Sequence, residues 1–289
     1  MEDNQSVEVL NKDELNLNNV NNKESIDEKE RLFFKKYTLS DIGIFICTIF
    51  LTFCYIGTFI YGIFQKIDPT NVVSVAQAQL IINSSIFGIL CAWVPYFLRY
   101  ILRIKIGFSI NLGIQIIATS GLILGDVFQF YYLIPGWDSI LHFSTGAGFC
   151  FLGYSLFMLF VNKSNLKHKV LLGIMFGIFC SLGIALLWEI YEFTCDTLGG
   201  LNMQKVLPED VPWFNGGDTF ADIVASDEVI ADFYRSPEGY KYALKDTMSD
   251  ILYCFAGTSS FAVIASIISY FKPHSFDNLN QIVPSRKAK

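Results

Sequence analysis

Basic residues are missing from the parts of this chain where acidic residues most need partners. The apolar segments near residues 139–161, 170–194 and 247–271 contain no Lys or Arg, although acidic residues lie at their ends. The seven cysteines form no C-x-x-C pair, so neither a disulfide framework nor a cysteine-based zinc site is predicted. A Walker motif, a dinucleotide fingerprint and a Ser-His-Asp constellation are also absent. We therefore expect the cysteines to be small buried hydrophobic residues.

Apolar residues dominate what remains. The 289 residues are 52% hydrophobic and 16% aromatic, and the apolar residues are gathered into runs long enough to cross a bilayer as helices. The first run begins near residue 41, after a long polar lead, which predicts an uncleaved spanning segment and not a signal peptide. The net charge of −6 comes from the ends and loops, so no nucleic-acid partner is predicted. The expected environment is a lipid bilayer.

The fold class predicted from these runs is an all-α polytopic membrane bundle with about six transmembrane helices. The predicted spans are 41–64, 79–101, 108–131, 139–161, 170–194 and 247–271. Clusters of Lys and Arg precede the first span, separate the second from the third and the fourth from the fifth, and follow the sixth. Because cytoplasmic loops are enriched in basic residues, both termini are predicted to be cytoplasmic, in a multi-pass protein of the plasma (inner) membrane.

Four regions follow from this topology. Residues 1–38 are rich in Asn, Glu, Asp and Lys, which predicts a disordered cytoplasmic tail. Residues 39–273 form the membrane domain, and residues 274–289 form a cytoplasmic C-terminal tail. Within the membrane domain, residues 196–245 are predicted to be an acidic extracytoplasmic loop that is partly helical.

The sequence of this loop predicts two local structures. Asp218 is placed to cap a helix with an apolar stripe. The stripe consists of Phe220, Ile223, Val224, Ile230, Phe233 and Tyr234. Further on, Ser236 and Pro237 are typical of an N-cap followed by proline at the first helical position. One helix is predicted to run from there into the sixth span.

Ionisable residues occur in pairs at the ends of three spans, all on the predicted outer side. The pairs are Asp138 with His142, Glu189 with Glu192, and Asp246 with Asp250. Spacings of three and four residues place both members of a pair on one helical face. Charged groups are costly inside a membrane, so such a cluster is a functional-site hypothesis.

Simpler explanations cover only part of the cluster. Asp138 and Asp246 are placed to cap helix N-termini, where the helix dipole favours negative charge. His142 and Asp250 lie one turn deeper, and Glu189 ends its span with Glu192, where the dipole disfavours carboxylates. Asp126, at the end of the third span, has two interpretations: it joins the cluster or it faces lipid headgroups.

Five carboxylates around one imidazole would repel one another if all were ionised. Either some of them keep their protons, or a divalent metal ion (Zn, Mn, Fe or Mg) supplies the balancing charge. Under the second hypothesis, all six paired residues are predicted metal ligands: Asp138, His142, Glu189, Glu192, Asp246 and Asp250. Glu189 and Glu192 are also the predicted catalytic residues, because a carboxylate not bound to metal can act as general base.

The order of these pairs resembles a known family. Asp138-x-x-x-His142 is followed by Gly146, then by Glu189-x-x-Glu192, and then by Asp246-Thr247-x-x-Asp250 with Gly257 beyond. In this order the motifs resemble the DUF2238 (YjdF) family of predicted inner-membrane proteins. They are more distantly similar to the VanZ-like proteins linked to glycopeptide resistance. The resemblance covers roughly residues 108–271 and implies a helical bundle with these site residues.

Three functions are compatible with this pattern. The first is a metal-dependent enzyme that acts at the outer leaflet on a lipid or cell-envelope precursor. The second is a cation- or proton-coupled transporter, which intramembrane carboxylates often serve. The third is a non-catalytic membrane protein that binds an envelope component through its outer loop. The enzyme is the favoured interpretation.

Overall fold

A computed structural model describes residues 39–67, 75–101, 104–161, 168–204, 220–226, 228–272 and 282–284. In chain order, its elements are α1 (Leu39–Ile67), α2 (Val75–Ile101), β1 (Ile104–Ile106), α3 (Phe108–Thr119), a π-helical segment (Ser120–Val127), α4 (Phe130–Leu133), α5 (Trp137–Val161), α6 (Lys169–Gly199), α7 (Phe220–Ser226), α8 (Glu228–Arg235), α9 (Pro237–Phe271) and β2 (Ile282–Pro284). The predicted N-terminal tail, 1–38, lies outside the described residues.

Within the described residues, six helices are long and apolar enough to span a membrane, which confirms the predicted all-α membrane bundle. They are α1, α2, α3 with its π-helical continuation, α5, α6 and α9. Two of them extend well beyond the predicted spans. α6 continues to Gly199 and α9 begins at Pro237. Both extensions lie on the side that carries the ionisable pairs.

The start of α9 is the one predicted from sequence. Ser236 is the N-cap, its Oγ accepts a hydrogen bond from Gly239 N at 3.1 Å, and Pro237 occupies the first helical position. The continuous helix from this cap through the sixth span is therefore confirmed. Upstream, the predicted single amphipathic helix is two short helices, α7 and α8, whose Val224 and Ile230 are buried in one apolar cluster. The proposed cap Asp218 lies outside the described residues.

The spanning helices form two groups. The first consists of α1, α2 and α3 with its π-helical segment, and the second consists of α5, α6 and α9. Within the second group, backbones approach closely at glycines. A Cβ on Gly257 of α9 would lie 1.9 Å from the Phe143 carbonyl oxygen of α5, and one on Gly177 of α6 would lie 2.4 Å from that of Cys150. Small residues of this kind permit tight helix packing in membranes.

A short antiparallel sheet closes the predicted cytoplasmic end. β2 pairs with β1, with Lys105 opposite Val283. Three residues of the predicted C-terminal tail are therefore attached to the membrane domain, a contact that no feature of the sequence predicts. The Lys105 side chain is buried, and its Nζ lies 3.1 Å from Asp41 Oδ2 in the first turn of α1.

Candidate functional site

His142 lies between two carboxylates from different helices. Its Nε2 is 3.6 Å from Asp138 Oδ1, one turn earlier on α5, and 3.5 Å from Asp250 Oδ2 on α9. One ligand atom from each of the three residues falls within 4.8 Å of the other two. The predicted pair on α5 therefore meets the deeper member of the pair on α9.

A second group shares Asp250. Carboxylate oxygens of Glu189, Glu192 and Asp250 also lie within 4.8 Å of one another. All three residues are buried, with exposed fractions of 5%, 8% and 4%. Trp188 Nε1 donates a hydrogen bond to Glu192 Oε1 at 2.9 Å and holds that carboxylate in place. The two groups share Asp250 and together contain five of the six predicted site residues.

The sixth, Asp246, belongs to neither group among the described residues. It lies one turn before Asp250 on α9 and is partly buried. Its assignment as a metal ligand therefore stays a prediction.

A polar contact among three helices lies one to two turns below the cluster. Ser181 Oγ of α6 and Thr258 Oγ1 of α9 both donate to the Gly146 carbonyl oxygen of α5, at 2.9 and 3.1 Å. The two hydroxyls are 2.8 Å apart. Buried hydrogen bonds of this kind link helices in a membrane. They fix the rotation of the three helices and so determine which side chains meet above.

A small cleft lies beside the cluster, between the two helix groups. Its lining includes Asp138 and Glu192 from the second group and Asp126 from the first. Asp126 Oδ2 accepts a hydrogen bond from Ser84 Oγ, and its carbonyl oxygen accepts one from Gln77 Nε2 at 2.9 Å. Asp126 thus lines the same cleft as two residues of the cluster but belongs to neither ligand group among the described residues, and both interpretations of it stay predictions.

Sequence reasoning missed the neutral residues of this cleft. Gln77, Tyr131, Tyr132 and Asn202 line it, but no charge or spacing distinguished them in the sequence. Burial raises the pKa of the Tyr131 hydroxyl well above its usual value, and nearby carboxylates, Asp126 first, raise it further. The phenol therefore stays protonated and can donate a hydrogen bond.

The loop after α6 forms one wall of the cleft through an acidic anchor. Asp196, which the sequence places at the start of the outer loop, lies in the last turns of α6. Its carboxylate oxygens accept hydrogen bonds from Met203 N at 2.6 Å and from Gln204 N at 2.8 Å. Asn202, between the helix and these amides, is buried. The only signal for this contact in the sequence is the acidic residue that precedes the Gly199-Gly200 pair.

Comparison with known proteins is informative at the family level. No curated protein and no solved structure matches this chain. The distant similarity to VanZ-like proteins therefore stays a prediction. A family model described as a predicted membrane protein, DUF2238, matches residues 47–271, which include all six predicted site residues and both helix groups except the first eight residues of α1. The chain is thus a multi-pass membrane protein and belongs to the DUF2238 family.

Proposed function

We propose that this protein is a metal-dependent enzyme acting on a lipid or cell-envelope precursor at the outer face of the plasma membrane. The observation that carries the proposal is the convergence of Asp138, His142 and Asp250, from two helices, within 4.8 Å. Ionisable side chains within membrane-spanning segments cost free energy, so a cluster of them is by default a candidate functional site.

The donor set fits a divalent ion. One imidazole nitrogen with several carboxylate oxygens suits Zn²⁺, Mn²⁺ or Fe²⁺, and Mg²⁺ if oxygen ligands predominate. The observed separations of 3.5 and 3.6 Å are close to those of two atoms that share one tetrahedral ion at roughly 2.1 Å. A positive ion would also offset the repulsion between the shared Asp250 and the glutamates.

The other residues have complementary roles in this proposal. Asp138, His142 and Asp250 hold the ion, which when bound polarises a substrate oxygen or lowers the pKa of water. Glu189 or Glu192 accepts the proton released from the attacking group as general base. The Trp188 hydrogen bond orients Glu192 for this transfer. Because Asp250 belongs to both groups, the ion and the base are held by one helix framework.

Elemental analysis of detergent-purified protein tests the proposal. The wild-type chain is expected to contain a divalent metal, and His142→Ala is expected to lose it. The control is His168→Asn, at the start of α6, because asparagine tolerates the positive φ of 58° found there. Metal-free wild-type protein whose unfolding temperature does not change with added Zn²⁺, Mn²⁺, Fe²⁺ or chelator would contradict it.

Cation- or proton-coupled transport is a second candidate, supported by a polar seam through the first helix group. Thr58 Oγ1 lies 2.7 Å from Ser85 Oγ near one end. Nearer the other end, Trp93 Nε1 donates to Thr52 Oγ1 at 3.0 Å, and the seam ends close to the Asp41–Lys105 ion pair. Polar side chains thus extend across the membrane from the side that carries the cluster.

Uptake into proteoliposomes separates the two functions. A transporter would accumulate protons or cations, and Glu189→Gln would abolish that uptake. The enzyme proposal expects proton and cation fluxes equal to those of empty vesicles for both proteins.

A further inference from the structure

We propose that the cleft between the two helix groups binds the uncharged sugar headgroup of a membrane lipid. The proposal names a substrate class for the site described above and rests on the proposed function for the reaction. Binding itself does not depend on the metal. Four observations support it: the amides and phenols in the lining, the negative charge of the cleft, the rigid construction of its walls and the aromatic surface beside it.

Amide and phenol side chains form much of the lining. Gln77 and Asn202 are buried, and Tyr131 and Tyr132 lie at the end of the first helix group. An amide carries a donor and an acceptor on separate atoms, and a phenol oxygen is both donor and acceptor. Sugar hydroxyls also donate and accept, so they match this lining. An ammonium headgroup offers donors only and would make no use of the phenol donors.

The charge of the cleft selects against anionic headgroups. Asp126, Asp138 and Glu192 contribute carboxylates, and none of the described residues that line the cleft is Lys or Arg. A phosphate could approach only where a metal ion offsets these charges. Hydroxyl groups, in contrast, can donate to carboxylates, and hydrogen bonds to charged acceptors are the stronger ones.

Two packing features fix the walls of the cleft. A Cβ on Gly125 would lie 2.3 Å from the Tyr131 ring, so only glycine lets this ring lie against the π-helical segment. On the opposite wall, Asp196 holds the Met203 and Gln204 amides and so positions Asn202. π-Helical segments are frequent at functional sites. The lining is therefore built into the fold before any ligand binds.

An aromatic surface beside the cleft favours a lipid over a soluble sugar. Phe87 of α2 lies 5.9 Å from Trp188 of α6, and Trp188 lies 5.3 Å from Tyr191, between ring centroids. Phe87 and Tyr191 are both exposed on spanning helices. Trp188 also donates to Glu192, which lines the cleft. Acyl chains can thus pack on these rings while the headgroup reaches the carboxylates.

Lipid binding to the full-length protein in phosphatidylcholine nanodiscs tests the proposal. The probe is diglucosyl diacylglycerol, titrated with tryptophan fluorescence as the readout, after purification in a detergent without a sugar headgroup. Saturable binding is expected. Gln77→Met removes one amide from the cleft, and its control, Gln79→Met, alters an amide two residues along α2 that contacts Lys66 and Asn83 outside the cleft. Gln77→Met should weaken binding about tenfold, the value of one or two lost hydrogen bonds, and Gln79→Met should not.

A second variant distinguishes a loss of binding from a loss of folding. Tyr132→Phe deletes a single hydroxyl from a side chain that is 38% exposed, and it should weaken binding severalfold with an unchanged unfolding temperature. Its control is Tyr61→Phe on the exposed face of α1. The proposal is overturned if diglucosyl diacylglycerol does not bind or if either cleft variant binds like its control. It is also overturned if phosphatidylglycerol, phosphatidylethanolamine or free maltose binds as tightly.

Repeating the titration with a chelator separates this proposal from the metal-dependent function. Sugar-lipid binding that persists in metal-free protein supports the cleft whether or not the enzyme proposal holds. A protein that binds metal through His142 but does not bind the sugar lipid supports the enzyme proposal and contradicts this one.

Discussion

The two helix groups carry different kinds of polar side chain in their interiors. In α1–α3 the buried polar residues are mostly uncharged, such as Thr48, whose Oγ1 accepts from Gln115 Nε2 at 2.5 Å. In α5, α6 and α9 they include Glu189, Glu192 and Asp250. Uncharged pairs stabilise contacts between helices. Buried carboxylates need a proton, a metal or water to offset their charge, and the second group therefore holds the candidate site.

The two helix groups also differ in what packs against their glycines. In the first group a large side chain fills the space above a glycine, since a Cβ on Gly88 would lie 2.1 Å from the Tyr55 ring. In the second group glycines bring backbone against backbone, as Gly146 and Gly257 do between α5 and α9. A side chain can move aside, whereas a backbone cannot. We therefore expect the second group to tolerate less change than the first.

The largest effect is expected from Gly257→Ala. The added Cβ would lie 1.9 Å from the Phe143 carbonyl oxygen, so α5 and α9 must separate. We expect a loss of about 3 kcal/mol in the free energy of unfolding, at the upper end for overpacking. Thermal unfolding in detergent measures this. Gly183→Ala on α6 is the control, because a Cβ there meets nothing within 4 Å. Equal stability of the two variants would show that the backbone contact is unimportant.

Asp250→Asn is expected to have the next largest effect. Asp250 belongs to both potential ligand groups, so its loss should lower metal affinity by about 100-fold, the upper range even for residues that only support ligands. Asp126→Asn in the first group should leave affinity unchanged, because Asp126 belongs to neither ligand group. Metal titration of apo-protein measures both. If the two variants lose affinity equally, the assignment of chemistry to the second group is wrong.

The smallest effect is expected from Thr48→Val. Thr48 is fully buried and contacts Gln115 and Tyr96, so the change should cost about 1 kcal/mol in the free energy of unfolding. Metal content should not change. Thr194→Val is the control, since Thr194 is exposed and the hydrogen bond that its hydroxyl makes among the described residues is to Ile190 of its own helix. A loss of metal from Thr48→Val would show that the groups are coupled.

Sequence reasoning recovered the charged part of the site better than the neutral part. Asp138, His142 and Asp250 were predicted to meet because helical spacing and membrane depth are readable from a sequence, and the structure brings them together. Gln77, Tyr132 and Asn202 were not predicted. Neutral polar residues are common at the ends of spanning helices, and nothing in their spacing indicates which of them face a shared cleft.

The sequence by itself determined the six spanning helices and the depth of their ionisable residues. A bilayer requires about 20 apolar residues per helix. Charged residues within such a helix are costly and rare, so they are easily recognised in the sequence. Only the tertiary structure decided which of those residues meet. The rotation of each helix depends on contacts between distant positions, such as Gly257 with Phe143 and Ser181 with Gly146, and these have no signature in local sequence.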